Sequence, residues 1–310
     1  VATEPEGGTG AGGVRGRGTG APVGFTPTDG LLALMSLIWG INYIVVKAAL
    51  GAFQPLAFNA TRFPIAAVVL LLAARGFGAR LPPRRYWLAI VLYGVLGNAV
   101  YQIGFIEGLA LTRAGNAALI SAANPVLTAV LSHWRGHERF TGRDWLGLVL
   151  SAAGVVLVVL GSGVEVGFGA TVVGDLLLLG AVLCWAIYAV GSRPLVHALG
   201  PVNMTAWTTA AGAVPIVLMG VPSLATQHWA AVPAPAWGAV LYASFGAIVT
   251  GYLLWARGMR LLGSTRVALY SNFTPVFAFL VAWPVLGERP TPFQVFGGLA
   301  IALGMYLTRS

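Results

Sequence analysis

NPVLTAVLSHWRGHERFTG, from Asn124 to Gly142, and TPVFAFLVAWPVLGERPTP, from Thr274 to Pro292, carry the same punctuation. Each opens with a proline inside an apolar run, reaches Glu-Arg thirteen residues after it, and places a threonine three residues past the glutamate. Pro125, Glu138, Arg139 and Thr141 correspond to Pro275, Glu288, Arg289 and Thr291 at one offset of 150. Gly147 with Gly297 and Gly154 with Gly304 extend the match, so residues from about 98 to 158 align with 248 to 308. Upstream the offset becomes 146, pairing Trp39 with Trp185, Lys47 with Arg193 and Pro55 with Pro201. One unit is written twice. The Glu-Arg turn itself reads as a turn-and-cap device without chemistry of its own.

The composition decides the solvent. Hydrophobic residues make up 57% of the 310, charged residues 9%, and mean hydropathy is +0.82. A water-facing surface takes roughly a quarter charged residues, which this chain does not have. From Asp29 onward the apolar runs divide into ten candidate spans: 29–50, 55–75, 85–109, 113–134, 142–161, 174–196, 201–221, 235–260, 264–286 and 292–309. Most are close to the ~20 residues that cross a bilayer as a helix. Unpaired backbone is so costly in lipid that such runs are helices rather than an open sheet. Their ends carry helix punctuation. Pro55 and Pro201 open spans 2 and 7, Thr141 with Asp144 and Thr291 with Gln294 read as capping boxes, and Pro292 takes a first helical position.

The expected fold class is an all-α integral membrane protein of ten transmembrane helices. Residues 28–162 form a first five-helix repeat and 163–310 a second. Five is odd, so the second repeat enters the membrane from the opposite side. Two inverted repeats around a central cavity are an architecture of secondary transporters. Residues 1–27 are Gly-rich, without an apolar run to serve as a signal peptide, and have too few large apolar side chains to offset the entropy of ordering, so they read as a disordered cytoplasmic tail.

The net charge of +9 does not indicate nucleic acid, because the basic residues lie in short loops between apolar runs. With the N-terminus inside, fourteen of them fall on the inner side, against Arg113, Arg289 and Lys47 on the outer. The positive-inside rule then places both termini in the cytoplasm of a multi-pass protein, expected in the bacterial cytoplasmic (inner) membrane. Cys184 is the one cysteine, and His133, His137, His197 and His228 are scattered, so no metal cluster and no cofactor is expected. Paired carboxylates at membrane depth, an activated serine and a phosphate-binding loop are also missing, which argues against an enzyme.

Polar and aromatic residues recur at helical spacing in equivalent places of both halves. Span 1 carries Trp39, Asn42, Tyr43 and Val46, and span 6 carries Trp185, Tyr188, Ala189 and Ser192. Span 3 carries Asn98, Tyr101, Gln102 and Phe105, and span 8 Ile248, Gly251, Tyr252 and Trp255. Span 4 carries Ala117, Ile120, Ser121 and Asn124, and span 9 Val267, Tyr270, Ser271 and Thr274, with Asn272 at the stripe's edge. Such stripes predict one cavity lined from both halves, the aromatics around a substrate side chain and the polar groups at its polar end. The bland alternative is packing residues and interhelical glue. Pro125 and Pro275 are expected to kink spans 4 and 9 and to free the Ser121 and Ser271 carbonyls. Lys47 and Glu107 are a candidate ion pair or coupling site. Arg62 either holds a carboxylate or snorkels toward the interface. The glycines of spans 5 and 10 are expected to pack within a monomer, a weak homodimer being the other possibility.

Five plus five spans, each half with a Pro-centred fourth span ending in a Gly-Glu-type turn (Gly287-Glu288, and Gly136-His137-Glu138 in the first half), resemble the drug/metabolite transporter superfamily. Within it the chain is most similar to the EamA type, and there to YddG-like (aromatic) amino acid exporters. The resemblance runs from about Asp29 to the C-terminus. It implies a bundle whose halves share a central cavity, with export of amino acids or related metabolites by alternating access. The alternative on the same fold is a carrier of another metabolite class, such as a nucleotide-linked sugar, a drug or a lipid.

Overall fold

Thr26 and Asp29 start the first helix reciprocally, the Thr26 backbone N–H and hydroxyl donating to Asp29 Oδ2 at 2.7 and 2.8 Å. This is seen in a computed structural model that describes residues 26–112, 117, 120–161, 172–277, 280 and 290–308. The Gly-rich residues 1–25, Arg113, the Glu288-Arg289 turn and the repeat boundary at 162/163 lie outside the described residues.

Helix α1 (Pro27–Ala49) is followed by α2 (Pro55–Gly76), which Pro55 opens at its first position. The third span is one continuous helix in three parts. α3 (Trp87–Gly94) passes into a π-helical segment (Val95–Val100) and then α4 (Tyr101–Leu111). Next come α5 (Asn124–Trp134), α6 (Gly142–Gly161), α7 (Val172–Gly191), the short α8 (Arg193–Leu199) and α9 (Pro201–Thr226). The eighth span repeats the third: α10 (Ala234–Leu241), a π-helical segment (Tyr242–Thr250) and α11 (Gly251–Leu262). α12 (Ser264–Ser271) and α13 (Pro292–Leu307) complete the described helices. The capping boxes of Thr141 with Asp144 and of Thr291 with Gln294 are both formed.

Among the described residues there is no strand, and seven helices are long and apolar enough to cross a bilayer. Leu72, Leu176, Leu218 and Phe296 stand exposed on the outside of the bundle, as lipid contact requires. The chain is a multi-pass membrane protein.

The prolines do more than kink. In span 4 the helix breaks at residues 122–123 and restarts at Asn124-Pro125, and in span 9 it breaks at 272–273 and restarts at Thr274-Pro275. A proline has no N–H to give and is accommodated in the first turn of a new helix, so each serves as a restart.

Equivalent spans meet each other. α2 packs on α9, α5 on α12, and α6 on α13, while α4 packs on α7 and α1 on α11. At the α6–α13 crossing glycine faces glycine. A Cβ on Gly147 would lie 2.5 Å from Gly304 O, one on Gly154 2.6 Å from Gly297 O, and the reverse approaches are 2.5 Å each. The glycines therefore let two backbones touch, as small residues do between membrane helices. They pack within the monomer, on each other.

A central cavity as the candidate substrate site

A cavity of about 620 Å³ lies between the two halves. α1, α2, α4, α6, α7, the second π segment and α11 line it, together with both broken spans. Ile44, Lys47 and Ala48 are lining residues exposed at the end of the bundle where α1 finishes. Toward the other end it is closed by stacked rings. Trp185 is their hub, with centroids 4.9 Å from Tyr101, 5.2 Å from Trp255, 5.4 Å from Tyr252 and 6.0 Å from Trp39. Offset and edge-on pairs of this kind hold one another beyond simple burial.

The π segments shape this floor. A π turn leaves carbonyls without their usual i+4 donor, and Ala247 O accepts Trp39 Nε1 at 3.0 Å. Gly251 makes the room, since a Cβ there would stand 2.4 Å from Trp39 Nε1. Beyond the rings, the end that carries the start of α1 is tied shut. Tyr270 donates its hydroxyl to Asp29, and Ser36 Oγ donates to Tyr270 O at 2.7 Å. Glu138 Oε1 accepts from Ser264 N at 2.9 Å and from Arg193 Nη1 at 3.3 Å. The first-half turn glutamate thus caps α12, a helix of the other half, where an anion is favoured.

The structure brings together Trp39, Asn42, Tyr43, Tyr101, Gln102, Ser121 and Asn124 from the first half with Trp185, Tyr252, Ser271 and Asn272 from the second. Lys47 and Pro275 join them. Tyr43 OH and Ser121 Oγ are 3.4 Å apart, Ser121 Oγ donates to Ala117 O, and Ser271 Oγ donates to Ala268 O. The two serine hydroxyls are thus bonded back onto their own helices. Asn272 Nδ2 donates to Ser151 Oγ on α6 at 2.9 Å. Asn42 Oδ1 is buried without a hydrogen-bond partner.

Six expected residues lie elsewhere. Asn98 Nδ2 donates to Thr208 O on α9 at 3.2 Å, and the Tyr188 hydroxyl sits 3.4 Å from Thr208 Oγ1. Both serve helix packing. Trp255 is 1% exposed and stands behind Trp39 and Trp185. Tyr270 belongs to the closed end, and Pro125 is buried in the first turn of α5. Lys47 and Glu107 do not form the expected ion pair. Lys47 Nζ donates to Leu109 O at 3.2 Å instead, because α4 ends beside it with free carbonyls.

Arg62 is 1% exposed, lines the cavity and does not snorkel. Its Nε donates to Asn59 Oδ1 at 2.8 Å and its Nη2 to Gln102 Oε1 at 2.9 Å. Gln102 Nε2 in turn donates to Tyr252 OH at 3.0 Å, and Asn59 Nδ2 to Gln102 O at 3.0 Å. Its i+3 spacing from Asn59 was the available signal.

The comparisons agree with this architecture. The model of the EamA-like transporter family matches residues 26–160 and again 172–310. The uncharacterized transporter YyaM of Bacillus subtilis is 29% identical, over 89% of this chain and 91% of its own length. A probable terminal-alkyne amino-acid exporter of Streptantibioticus cattleyicolor is 27% identical, over 90% and 92%. A probable amino-acid metabolite efflux pump of Escherichia coli is 27% identical, over 90% and 94%. One solved crystal structure, 20% identical, shares the fold with a TM-score of 0.75 over 89% of this chain and 94% of that one. With an all-helical apolar bundle, a cavity between its halves and two matches to one model, the chain belongs to the EamA-like transporter family and is a transporter rather than an enzyme.

Proposed function

We propose that this chain exports amino acids, bulky apolar and aromatic ones included, and related small metabolites across the cytoplasmic membrane by alternating access. The observation that carries this reading is the cavity: about 620 Å³, walled by Trp39, Tyr101, Trp185 and Tyr252, and shut at one end. Small-ligand pockets run to roughly 300–1,000 Å³ and combine apolar walls with a few fixed polar groups. Relatives named as amino-acid exporters support the same cargo.

The topology is part of the proposal. Ten spans as two inverted repeats, with both termini cytoplasmic, account for the pairing of equivalent helices and for the fourteen-to-three asymmetry of basic residues. The closed end is then cytoplasmic, and transport exchanges which end is tied. A monomer is taken as the transporting unit, with a weak homodimer as the alternative. Proteoliposome uptake of labelled phenylalanine, alanine, a nucleotide sugar and a quaternary ammonium compound tests this. Saturable phenylalanine uptake is expected, and uptake of the last two without either amino acid defeats it. Lys47 and Arg62 favour, as the second reading, an anionic metabolite such as the nucleotide sugar.

A further inference from the structure

Arg62 is a cation held inside a membrane helix with no described carboxylate beside it. A charge at bilayer depth is expensive and persists where it is paired or used. Its two recorded bonds go to neutral amide oxygens, Asn59 Oδ1 and Gln102 Oε1. A guanidinium has five N–H donors in a planar fork, so three remain, including both on Nη1.

The second repeat shows that the fold itself does not need this charge. At the offset that pairs Trp39 with Trp185, Arg62 corresponds to Thr208. Thr208 is also fully buried, and its hydroxyl is satisfied within α9 by Met204 O at 2.9 Å. The same helix position in the same kind of packing therefore works with a neutral side chain. What distinguishes Arg62 is that it faces the cavity, while Thr208 does not line it.

Among the described residues, the cavity lining contains two cations, Lys47 and Arg62, and no aspartate or glutamate. Arg62, Gln102 and Tyr252 form one hydrogen-bonded chain, and Tyr252 packs edge-on against Trp39 with centroids 6.4 Å apart. Asn42, whose buried Oδ1 lacks a donor, lies one helical turn from Trp39. An apolar wall thus separates a free set of cationic donors from a free neutral acceptor.

We propose that Arg62 is the carboxylate anchor of the site: its free guanidinium edge grips the substrate carboxylate, Asn42 Oδ1 accepts from the ammonium, and the tryptophans enclose the side chain. This rests on reading the cavity as the substrate site and adds a requirement to it. The cargo must carry a carboxylate or an equivalent planar anion, and neutral amides and cations are poor ligands. Asn59 and Gln102 are positioning residues, which hold the fork in the orientation that leaves Nη1 toward the cavity.

The test uses purified full-length chain in nanodiscs, with quenching of intrinsic tryptophan fluorescence as a binding readout independent of transport. The probes are phenylalanine, phenylalaninamide and 3-phenylpropionate. On the unaltered chain, the two carboxylates are expected to bind about 10- to 100-fold more tightly than the amide, the range for a charge-assisted hydrogen bond. Arg62→Gln should bring phenylalanine down to the affinity of the amide and leave the amide unchanged. Arg62→Lys, which keeps the charge without the fork, should fall between. Should the glutamine variant not fold, the comparison of probes on the unaltered chain decides. Equal binding of phenylalanine and its amide overturns the arginine assignment alone, since amino-acid-like cargo would still occupy the cavity. Failure of all three probes to bind overturns both readings.

Discussion

Two neighbouring tryptophans separate cavity from core. Trp185 lines the cavity and touches Trp39, Tyr101, Tyr188, Tyr252 and Trp255, whereas Trp255 lies behind with no access to the space. Trp185→Ala should weaken uptake of bulky amino acids far more than of alanine, because small cargo never used that wall. Trp255→Ala should instead lower stability by about 3–5 kcal/mol, as large aromatic truncations in a core do. Liposome uptake of both substrate sizes, alongside thermal unfolding of each variant, separates the two; equal effects on substrate preference would refute the assignment. Helical spacing made Trp39, Asn42, Tyr43, Ser121 and Trp185 legible from sequence. It failed at Asn98, which sits inside the π segment. Asn98 turns to α9 instead, its Nδ2 donating to Thr208 O. Arg62 was ambiguous because one isolated cation does not declare its depth, and its partners Asn59 and Gln102 come from two different helices.

At the level of helices and turns, the repeated glycines mark a close helix crossing, whereas the prolines, expected as kinks, stand just after breaks. Apolar periodicity cannot tell a kink from a break, and at Ala122-Ala123 and Asn272-Phe273 the helix breaks. The α6–α13 crossing has no room for a side chain, so Gly154→Val, whose Cβ would meet Gly297 O at 2.6 Å, should cost on the order of 3 kcal/mol. A melting temperature unchanged from that of the parent would remove this role. Glu138 ties the closed end by capping α12 and pairing with Arg193. Glu138→Ala should raise the population opened at this end roughly tenfold, from the loss of charge-assisted bonds. A cysteine at Ser121 in a Cys184-free background should then react with impermeant reagent from both ends rather than one. The same turn holds His137, whose pKa lies below the usual 6.5 because of its burial and then the charges of Arg193 and Arg135, with Glu138 opposing. A lowered histidine pKa favours the folded turn above about pH 6.5, and that stabilisation fades as pH falls through the lowered value. Labelling from the closed end should therefore increase between pH 7.5 and 5, and His137→Asn should flatten the increase.

Across the whole molecule, two halves and an apolar exterior were legible because lipid forces both helix and hydropathy into the sequence. The cavity was legible only as facing stripes, since its volume arises from contacts between residues 150 and 208 positions apart. Sidedness has a direct test. With Cys184 removed, cysteines at Gly78 and Gly142 should label only from the cytoplasm, and at Gly167 and Pro222 only from outside. Gly78 and Gly167 reacting from one face would defeat the inverted arrangement. The described lining, with two cations and no carboxylate, also has an electrical consequence. Moving one elementary charge through 100 mV is worth about 2.3 kcal/mol, close to a fiftyfold concentration ratio. Under the proposed anchoring, a zwitterion seated on Arg62 and moved without a coupled ion crosses without net charge, so an inside-negative potential neither drives nor opposes it. A simple carboxylate on the same arginine is one negative charge, and that potential expels it. Currents on solid-supported membranes should therefore be absent with phenylalanine and present with 3-phenylpropionate, making one binding site a neutral leak for one metabolite and a voltage-powered pump for its deaminated twin.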